Sequence, residues 1–493
     1  MSTEETHRIV IVGSGFAGLG MAMSLRRRGI TDFAVLERAS SVGGTWRDNT
    51  YPGCCCDVPS HLYSLSFAPN PHWSESFSQQ SEIHAYMRGL VERFGLAAHI
   101  HGNCEVESAR WQEKDGVWET QTSLGTVRSR FLISAVGGLV DPNVPDIPGL
   151  DSFPGKVFHS ARWEHDHDLS GERVAVVGTG ASAIQFVPRI QPEVSQLHLF
   201  QRTPPWITPR MNREISGLEK AAFERLPALQ RIARGGIYWA REVVARGLLG
   251  DKRMRSRMDG VARKHLARQV PDPELRAKLT PDYEIGCKRI LISNDYYPSL
   301  SRDNVEVVTE GVAEVRGSTV VGSDGTEAEV DTIIFGTGFH VTDTPAGDMI
   351  FGVGGRSLRD VWGPSMHAHR GVSVAGFPNM FMLGGPHSGI GHTSLTVMIE
   401  AQVEFAIDAF AQLDREGHNV IEVKPEAQEA FLTQLHEKME STVWMAGGCQ
   451  SWYLDSTGRN TTLWPDFTFR YRKQMERVDI SEYTTAPARV PVG

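Results

Sequence analysis

Two glycine-rich stretches in this chain could each hold a dinucleotide, and the residues downstream of them carry opposite charge. The first reads Ile9-Val-Ile-Val-Gly13-Ser-Gly15-Phe16-Ala17-Gly18, then a helix-forming run from Leu19 to Arg28, then Asp32-Phe-Ala-Val-Leu-Glu37. In such a strand–turn–helix unit Gly13 permits the tight turn, Gly15 lets the backbone approach a pyrophosphate, and Gly18 lets helix pack on strand. The positive end of the helix then faces the phosphates. The second stretch reads Arg173-Val-Ala-Val-Val-Gly178-Thr179-Gly180-Ala181-Ser182-Ala183-Ile-Gln185, with Ala183 at the third glycine position. Its second strand, Gln196-Leu-His-Leu-Phe-Gln201, runs into Arg202-Thr203. Glu37 lies 24 residues after Gly13 (37 − 13) and Arg202 lies 24 after Gly178 (202 − 178). An acid at that position accepts hydrogen bonds from free ribose hydroxyls, whereas an arginine suits the 2′-phosphate of NADP. The contrast reads as FAD on the first unit and NADPH on the second, against the plainer alternative that Arg202 is a solvated surface cation.

Between the two units lies Phe153-Pro-Gly155-Lys-Val-Phe-His159-Ser-Ala-Arg-Trp163. With 21 Phe, 49 Gly, 18 His and 11 Trp in 493 residues, this four-point pattern would arise by chance about 0.002 times. It resembles the fingerprint of the type I Baeyer–Villiger monooxygenases, and its terminal Trp163 favours them over the related heteroatom-oxidising flavin monooxygenases. Glu164 stands where the family usually has Pro or Asp. A second stretch, Gly43-Gly44-Thr45-Trp46-Arg-Asp-Asn-Thr-Tyr51-Pro52-Gly53-Cys-Cys-Cys-Asp57, matches a further signature of the same family at every fixed position. The middle cysteine, Cys55, replaces the Arg or Ala common in relatives.

That resemblance, which runs from residue 8 to about residue 471, implies an α/β protein with two Rossmann-like dinucleotide-binding domains. The FAD domain is discontinuous, built from residues 1–143 and 342–493. An NADPH domain, 144–341, lies between and carries a helical insertion at about 211–280. The resemblance implies conversion of ketones to esters or lactones with NADPH and O2, through a flavin C4a-peroxide. It places Thr45, Trp46, Asp57, Tyr63, Val106 and, more weakly, Leu395 against FAD. Lys288 matches a residue that helps hold the NADP 2′-phosphate, and Trp452 matches a loop residue that closes over NADP, with a core tryptophan as the alternative. Arg289 matches the active-site arginine, oriented by Asp57. A guanidinium stays charged at any working pH and offers several donors to a developing oxyanion. Phe153, Gly155, His159 and Trp163 are expected to position the domains at their hinge. The Asp331-Thr-Ile-Ile-Phe-Gly336-Thr-Gly338-Phe339 strand resembles the end of the nicotinamide domain, with Gly336 in place of the usual Ala. An alternative activity is sulfide or amine oxygenation, and a third possibility is an uncoupled oxidase that turns NADPH into peroxide.

The elements that must position these residues follow from the rest of the chain. Asp141-Pro-Asn-Val-Pro-Asp-Ile-Pro-Gly149 is a linker that no helix can cross. Leu218, Phe223, Leu226, Leu229 and Ile232 have helical spacing. Between Arg231 and Arg268 eleven Lys/Arg stand against three Asp/Glu, which reads as a solvated helical face or, more sharply, as a weak membrane-surface contact. A helix is expected from about Ser394 to Leu413. The net charge of −9 argues against a general nucleic-acid partner. No apolar run is long enough to span a membrane, and the acidic start is unlike a secretory signal. The expected partners are O2 and a small ketone, in a cytoplasmic monomer or homodimer. Cys54, Cys55, Cys56, Cys104, Cys287 and Cys449 show no redox or zinc spacing and are expected to be reduced thiols. His387 and His392 have no ligand partners at recognisable spacing; backbone hydrogen bonds are expected of them, and no metal site. The polar tail after Tyr471 is expected to be disordered.

Overall fold

The computed structural model describes residues 4–487. The first sheet grows from β1 (Glu4–Val12), β2 (Phe33–Leu36), β3 (Ile100–His101), β4 (Val106–Gln112), β5 (Val117–Thr122) and β6 (Gly125–Ser134). β1 lies parallel to β2 and β6, with Ile9 opposite both Phe33 and Phe131. Strands covered on both faces need no polar alternation, and the four residues of β2 are all buried. β4, β5 and β6 form an antiparallel meander.

The second sheet contains β7 (Lys156–His159), β8 (Arg173–Val177), β9 (Gln196–Phe200), β10 (Val305–Val308) and β11 (Thr332–Phe335). Its order is β10-β9-β8-β11-β7 and every pair is parallel. The chain then returns to the first sheet. β12 (Ile350–Phe351) pairs with β4, and β13 (Met380–Met382) pairs with the end of β6. The outgoing and returning connections run side by side: Pro142 bridges Phe339, Asn143 N donates to Gly338 O, and His340 N donates to Asp141 O. The proline-rich linker thus forms one strap of a double crossing.

Four helices, Gly217–Arg225, Pro227–Leu248, Lys252–Gln269 and Pro273–Lys278, occupy the expected insertion. Its base is closed by a short parallel pair, Ile207 opposite Leu291 and Thr208 opposite Ile292. The helix expected from Ser394 is Leu395–Glu416, and the Ser394 side chain caps it by accepting from Thr396 N.

Two expectations are corrected here. Residues beyond Tyr471 are not a loose tail up to Pro487: Tyr483–Pro487 forms a strand antiparallel to His418–Val423, and Tyr483 is buried. The segment reads as polar because only one residue in two turns inward; residues 488–493 lie outside those described. Cys287 and Cys449 are not reduced thiols but a disulfide across 162 residues of sequence, with Cα atoms 6.1 Å apart. Spacing rules cannot see a pair that only tertiary folding brings together. Cys54, Cys55, Cys56 and Cys104 are buried and lie outside that disulfide.

Candidate functional site

The two glycine turns sit at the ends of β1 and β8, each leading into a helix, Phe16–Arg27 and Ala183–Ile190. A Cβ on Gly13 would lie 2.6 Å from Ala135 O, and one on Gly178 would lie 2.5 Å from Gly336 O. Both glycines hold positive φ, 101° and 109°, so turn and close packing both demand glycine there. A Cβ on Gly15 would meet no protein atom within 4 Å, and Gly180 has only Gly336 O at 3.7 Å. The second glycine of each unit therefore opens onto free space, as a turn that receives a pyrophosphate requires. Gly336 stands at the strand end equivalent to Ala135, and its absent methyl would fall 3.3 Å from Ala183 Cβ. The alanine at the third fingerprint position is accommodated by the glycine facing it.

Around the first turn, Glu37 is buried. Its carboxylate accepts from Ser14 N at 3.0 Å, Ser14 Oγ at 2.5 Å, Ala39 N at 3.0 Å and Arg47 Nη1 at 2.9 Å. Gly43 N donates to Ser14 O, which lays the Gly43–Trp46 turn on the dinucleotide turn. Trp46 Nε1 donates to the Tyr63 hydroxyl at 2.9 Å, and Phe16 meets the Tyr63 ring edge-on at 5.2 Å. Trp46, Phe16 and Tyr63 are thus one wall, and the Thr45 hydroxyl donates to Leu139 O at 3.4 Å. Ala17 lies buried in the first turn of that helix. Val106 is buried among Val10, Leu36 and Trp111, in the core behind Glu37. Leu395 opens its helix with 40% of its surface exposed.

Around the second turn, Thr179 Oγ1 donates to Thr203 O and Ser182 shares a hydrogen bond with Ser160 at 3.1 Å. Ala181 is exposed. Burial, with the charge of the exposed Arg202 adding to it, lowers the Lys288 pKa. Lys288 Nζ lies 5.2 Å from the Tyr283 ring. Gln185 turns away from this turn: its amide accepts from Tyr51 Oη and Cys55 N and donates to Cys55 O. It ties the second unit to the Tyr51–Asp57 segment. Phe153 is buried in the small core behind the second sheet. A Cβ on Gly155 would lie 2.0 Å from Asp331 O. His159 Nδ1 accepts from Ala161 N, and burial lowers the ring's pKa to about 4, so it is neutral at ordinary pH. Trp163 packs on Phe158 and Phe186, and Glu164 pairs with Lys156 at 3.3 Å on the surface.

The two units meet at Asp57 and Arg289. The Arg289 Nε and Nη2 each donate to an Asp57 oxygen at 2.8 Å, a fork-to-fork pair from residues 232 apart. Asp57 beside it raises the guanidinium's pKa further, so it stays charged. The side chains keep 32% and 23% of their surface open, so the pair faces a space and not the packed core. Two of the five guanidinium donors bond Asp57, and a third faces the Tyr453 hydroxyl. Sequence reasoning missed Tyr453, whose buried hydroxyl lies against Arg289; burial pushes its pKa up to about 12 while the arginine opposes the shift. Its neighbour Trp452 is 46% exposed, which removes the core alternative. Burial raises the pKa of all three thiols of the triple cysteine, Cys54 to about 12 and Cys56 well above its ordinary value, which disfavours the reactive thiolate.

The His387 ring has the backbone of Asn460 as its expected hydrogen-bond partner, whereas the His392 ring nitrogens have no backbone partner. His392 Nε2 lies 3.7 Å from Glu242 Oε1 instead. Helix Pro227–Leu248 brings that carboxylate in, a placement no local spacing could show.

A family model described as pyridine nucleotide-disulphide oxidoreductase matches residues 10–234. The chain is 52% identical to a Baeyer–Villiger monooxygenase of Streptomyces coelicolor, over 99% of this chain and 95% of the relative. This chain belongs to the Baeyer–Villiger monooxygenase family. A second Baeyer–Villiger monooxygenase, from Pseudomonas aeruginosa, is 46% identical over 99% of this chain and 94% of its own. Among solved structures, an oxidised steroid monooxygenase bound to NADP superposes with a TM-score of 0.85 at 30% identity, covering 98% and 99% of the two chains. A closed cyclohexanone monooxygenase superposes at 0.86 and 28% identity, covering 99% and 100%. The fold is that of two dinucleotide-binding domains, and this member of the family is an NADPH-dependent flavoprotein monooxygenase.

Proposed function

We propose that this monooxygenase inserts one atom of O2 beside a ketone carbonyl, giving an ester or a lactone. FAD occupies the turn at Gly13–Gly18 and NADPH the turn at Gly178–Ala183. The open space at Gly15 and Gly180, and the cation pair Arg202 and Lys288, support that assignment. When bound, NADPH supplies the hydride and FAD the activated oxygen.

The chain's own residues do the rest. Arg289 is held by both Asp57 oxygens and lies against the Tyr453 hydroxyl, so its plane is fixed while its remaining N–H donors point elsewhere. Those donors suit a carbonyl oxygen that takes on negative charge as oxygen adds to its carbon. Because the guanidinium is preorganised, little reorientation is needed when that charge appears. Asp57 is spent on Arg289 and is an orienting group, not a proton donor. Trp46, Phe16 and Tyr63 form an apolar wall that helps keep water out.

The bidentate Asp57–Arg289 pair carries this reading, because a heteroatom oxygenation develops no oxyanion and has no use for it. The experiment is mass spectrometry of products formed from 18O2, with linear, cyclic and aryl ketones and one thioether. Wild type should yield esters or lactones carrying one labelled oxygen. Arg289→Ala should lower ester formation at least a hundredfold, about 3 kcal/mol of lost stabilisation. Labelled sulfoxide alone, undiminished in Arg289→Ala, would replace this reading with heteroatom oxygenation.

A further inference from the structure

Helix Pro227–Leu248 turns a seam inward at positions 234, 238, 241, 245 and 248, spaced alternately four and three residues apart. Four of the five are accounted for. Arg234 Nη1 donates to the carbonyls of His61, Leu62 and Ser64. The Tyr238 hydroxyl bonds Thr468 Oγ1 at 2.9 Å, and Ala245 is fully buried. Leu248 packs against Gly286 and Gly391. Residues three and four apart share a helix face, so Arg241 points the same way, into the interior at the level of the site. The other side of the helix exposes Ile232, Trp239 and Val243.

Arg241 is largely buried and forms no hydrogen bond or ion pair with any described residue. Its charge acts on Asp57, Arg289 and Cys56. The acids near it are already engaged. Both Asp57 oxygens bond Arg289, and Glu242 accepts from Thr468 N and Oγ1 beside His392. Glu400 accepts from Ser66 N and faces Arg234 at 3.9 Å. One carboxylate and two guanidiniums therefore leave the site with a net positive charge. A buried cation is costly unless something anionic meets it.

We infer that Arg241 binds a carboxylate on the substrate, so that the enzyme prefers ketones bearing an acid group separated from the carbonyl by a short apolar chain. The inference rests on the ketone reading. Arg289 meets the carbonyl end, and Arg241 meets the acid end from a different element. This makes Arg241 a specificity residue, since the ketone carbonyl itself needs only Arg289.

The test is equilibrium binding to the FAD-loaded, NADP+-saturated enzyme, read by titration calorimetry without turnover. The ligands are levulinate, its longer methyl-ketone homologues, and the methyl ester of each. At least one acid should bind tenfold or more tightly than its ester, and Arg241→Gln should bring that ratio close to one. Arg241→Lys should keep part of the preference, which a merely structural side chain would not. Equal affinity of acid and ester in wild type would overturn the inference. So would an Arg241→Gln enzyme that keeps the wild-type ratio while losing NADP+ affinity, because the arginine would then serve the cofactor. Failure of the ketone reading shows separately, as absence of labelled ester from neutral ketones.

Discussion

A guanidinium locked to one carboxylate is a different reagent from one free in solution, because its remaining donors have a fixed direction. Arg289 has that character through Asp57, and Tyr453 extends the same cluster from a third segment. A buried histidine makes the opposite case. His387 is 1% exposed, and burial beside His436 lowers its pKa to about 3. In the unfolded chain the same ring titrates near its ordinary value. Between these two values the unfolded state holds a proton that the folded state does not, so stability falls as pH drops through that window. His387 also holds a φ of 57°, a conformation that asparagine tolerates better than most side chains. His387→Asn should therefore fold and should flatten the dependence of unfolding free energy on pH between 4 and 6 by about 1 kcal/mol per unit. Denaturant titrations at several pH values check this, and an unchanged slope would place the acid sensitivity in other groups.

At the scale of elements, the two strand–turn–helix units were legible because glycine spacing and strand ends are local properties. So was Ser394 as the start of its helix. The inward seam of Pro227–Leu248 was not, since eleven cations in 231–268 hide which face turns in. Arg241 looked like any of its neighbours. Glycines show the same division between local and tertiary causes. Gly155 sits where a Cβ would fall 2.0 Å from Asp331 O, the carbonyl that accepts from Lys156 N beside the β7–β11 pairing. Gly155→Ala must push β7 away from β11, at a cost of about 3 kcal/mol. Gly236 lies in the middle of a helix with nothing within 4 Å of its missing Cβ. Gly236→Ala should stabilise by about 0.5–1 kcal/mol, because alanine loses less backbone freedom on folding. Chemical denaturation of the two variants should give shifts of opposite sign. Equal shifts would mean that the fingerprint glycine is not needed for strand approach.

At the scale of the whole molecule, the reaction depends on segments far apart in sequence staying together, and the Cys287–Cys449 bond is the covalent part of that arrangement. Cys287 lies two residues before Arg289, and Cys449 lies four residues before Tyr453, which touches the same arginine. The bond therefore pins the 447–460 loop over the ion pair. No spacing in the sequence could reveal it, since the partners are 162 residues apart. Closing a loop of that length removes freedom mainly from the unfolded chain, worth about 5 kcal/mol in the chain-entropy account. A dithiol should lower the Tm of the wild-type holoenzyme. It should leave unchanged the already lower Tm of Cys449→Ser, which has no bond to reduce. The loop effect should appear separately in the coupling of the reaction. With the tether gone, Tyr453 and Trp452 cover the site less of the time, water enters, and a larger share of NADPH is consumed as hydrogen peroxide. Measuring peroxide and ester per NADPH, with and without dithiol, distinguishes a tether that serves only stability from one that also seals the site. A lower Tm with unchanged coupling would mean that packing of Tyr453 alone holds the loop in place.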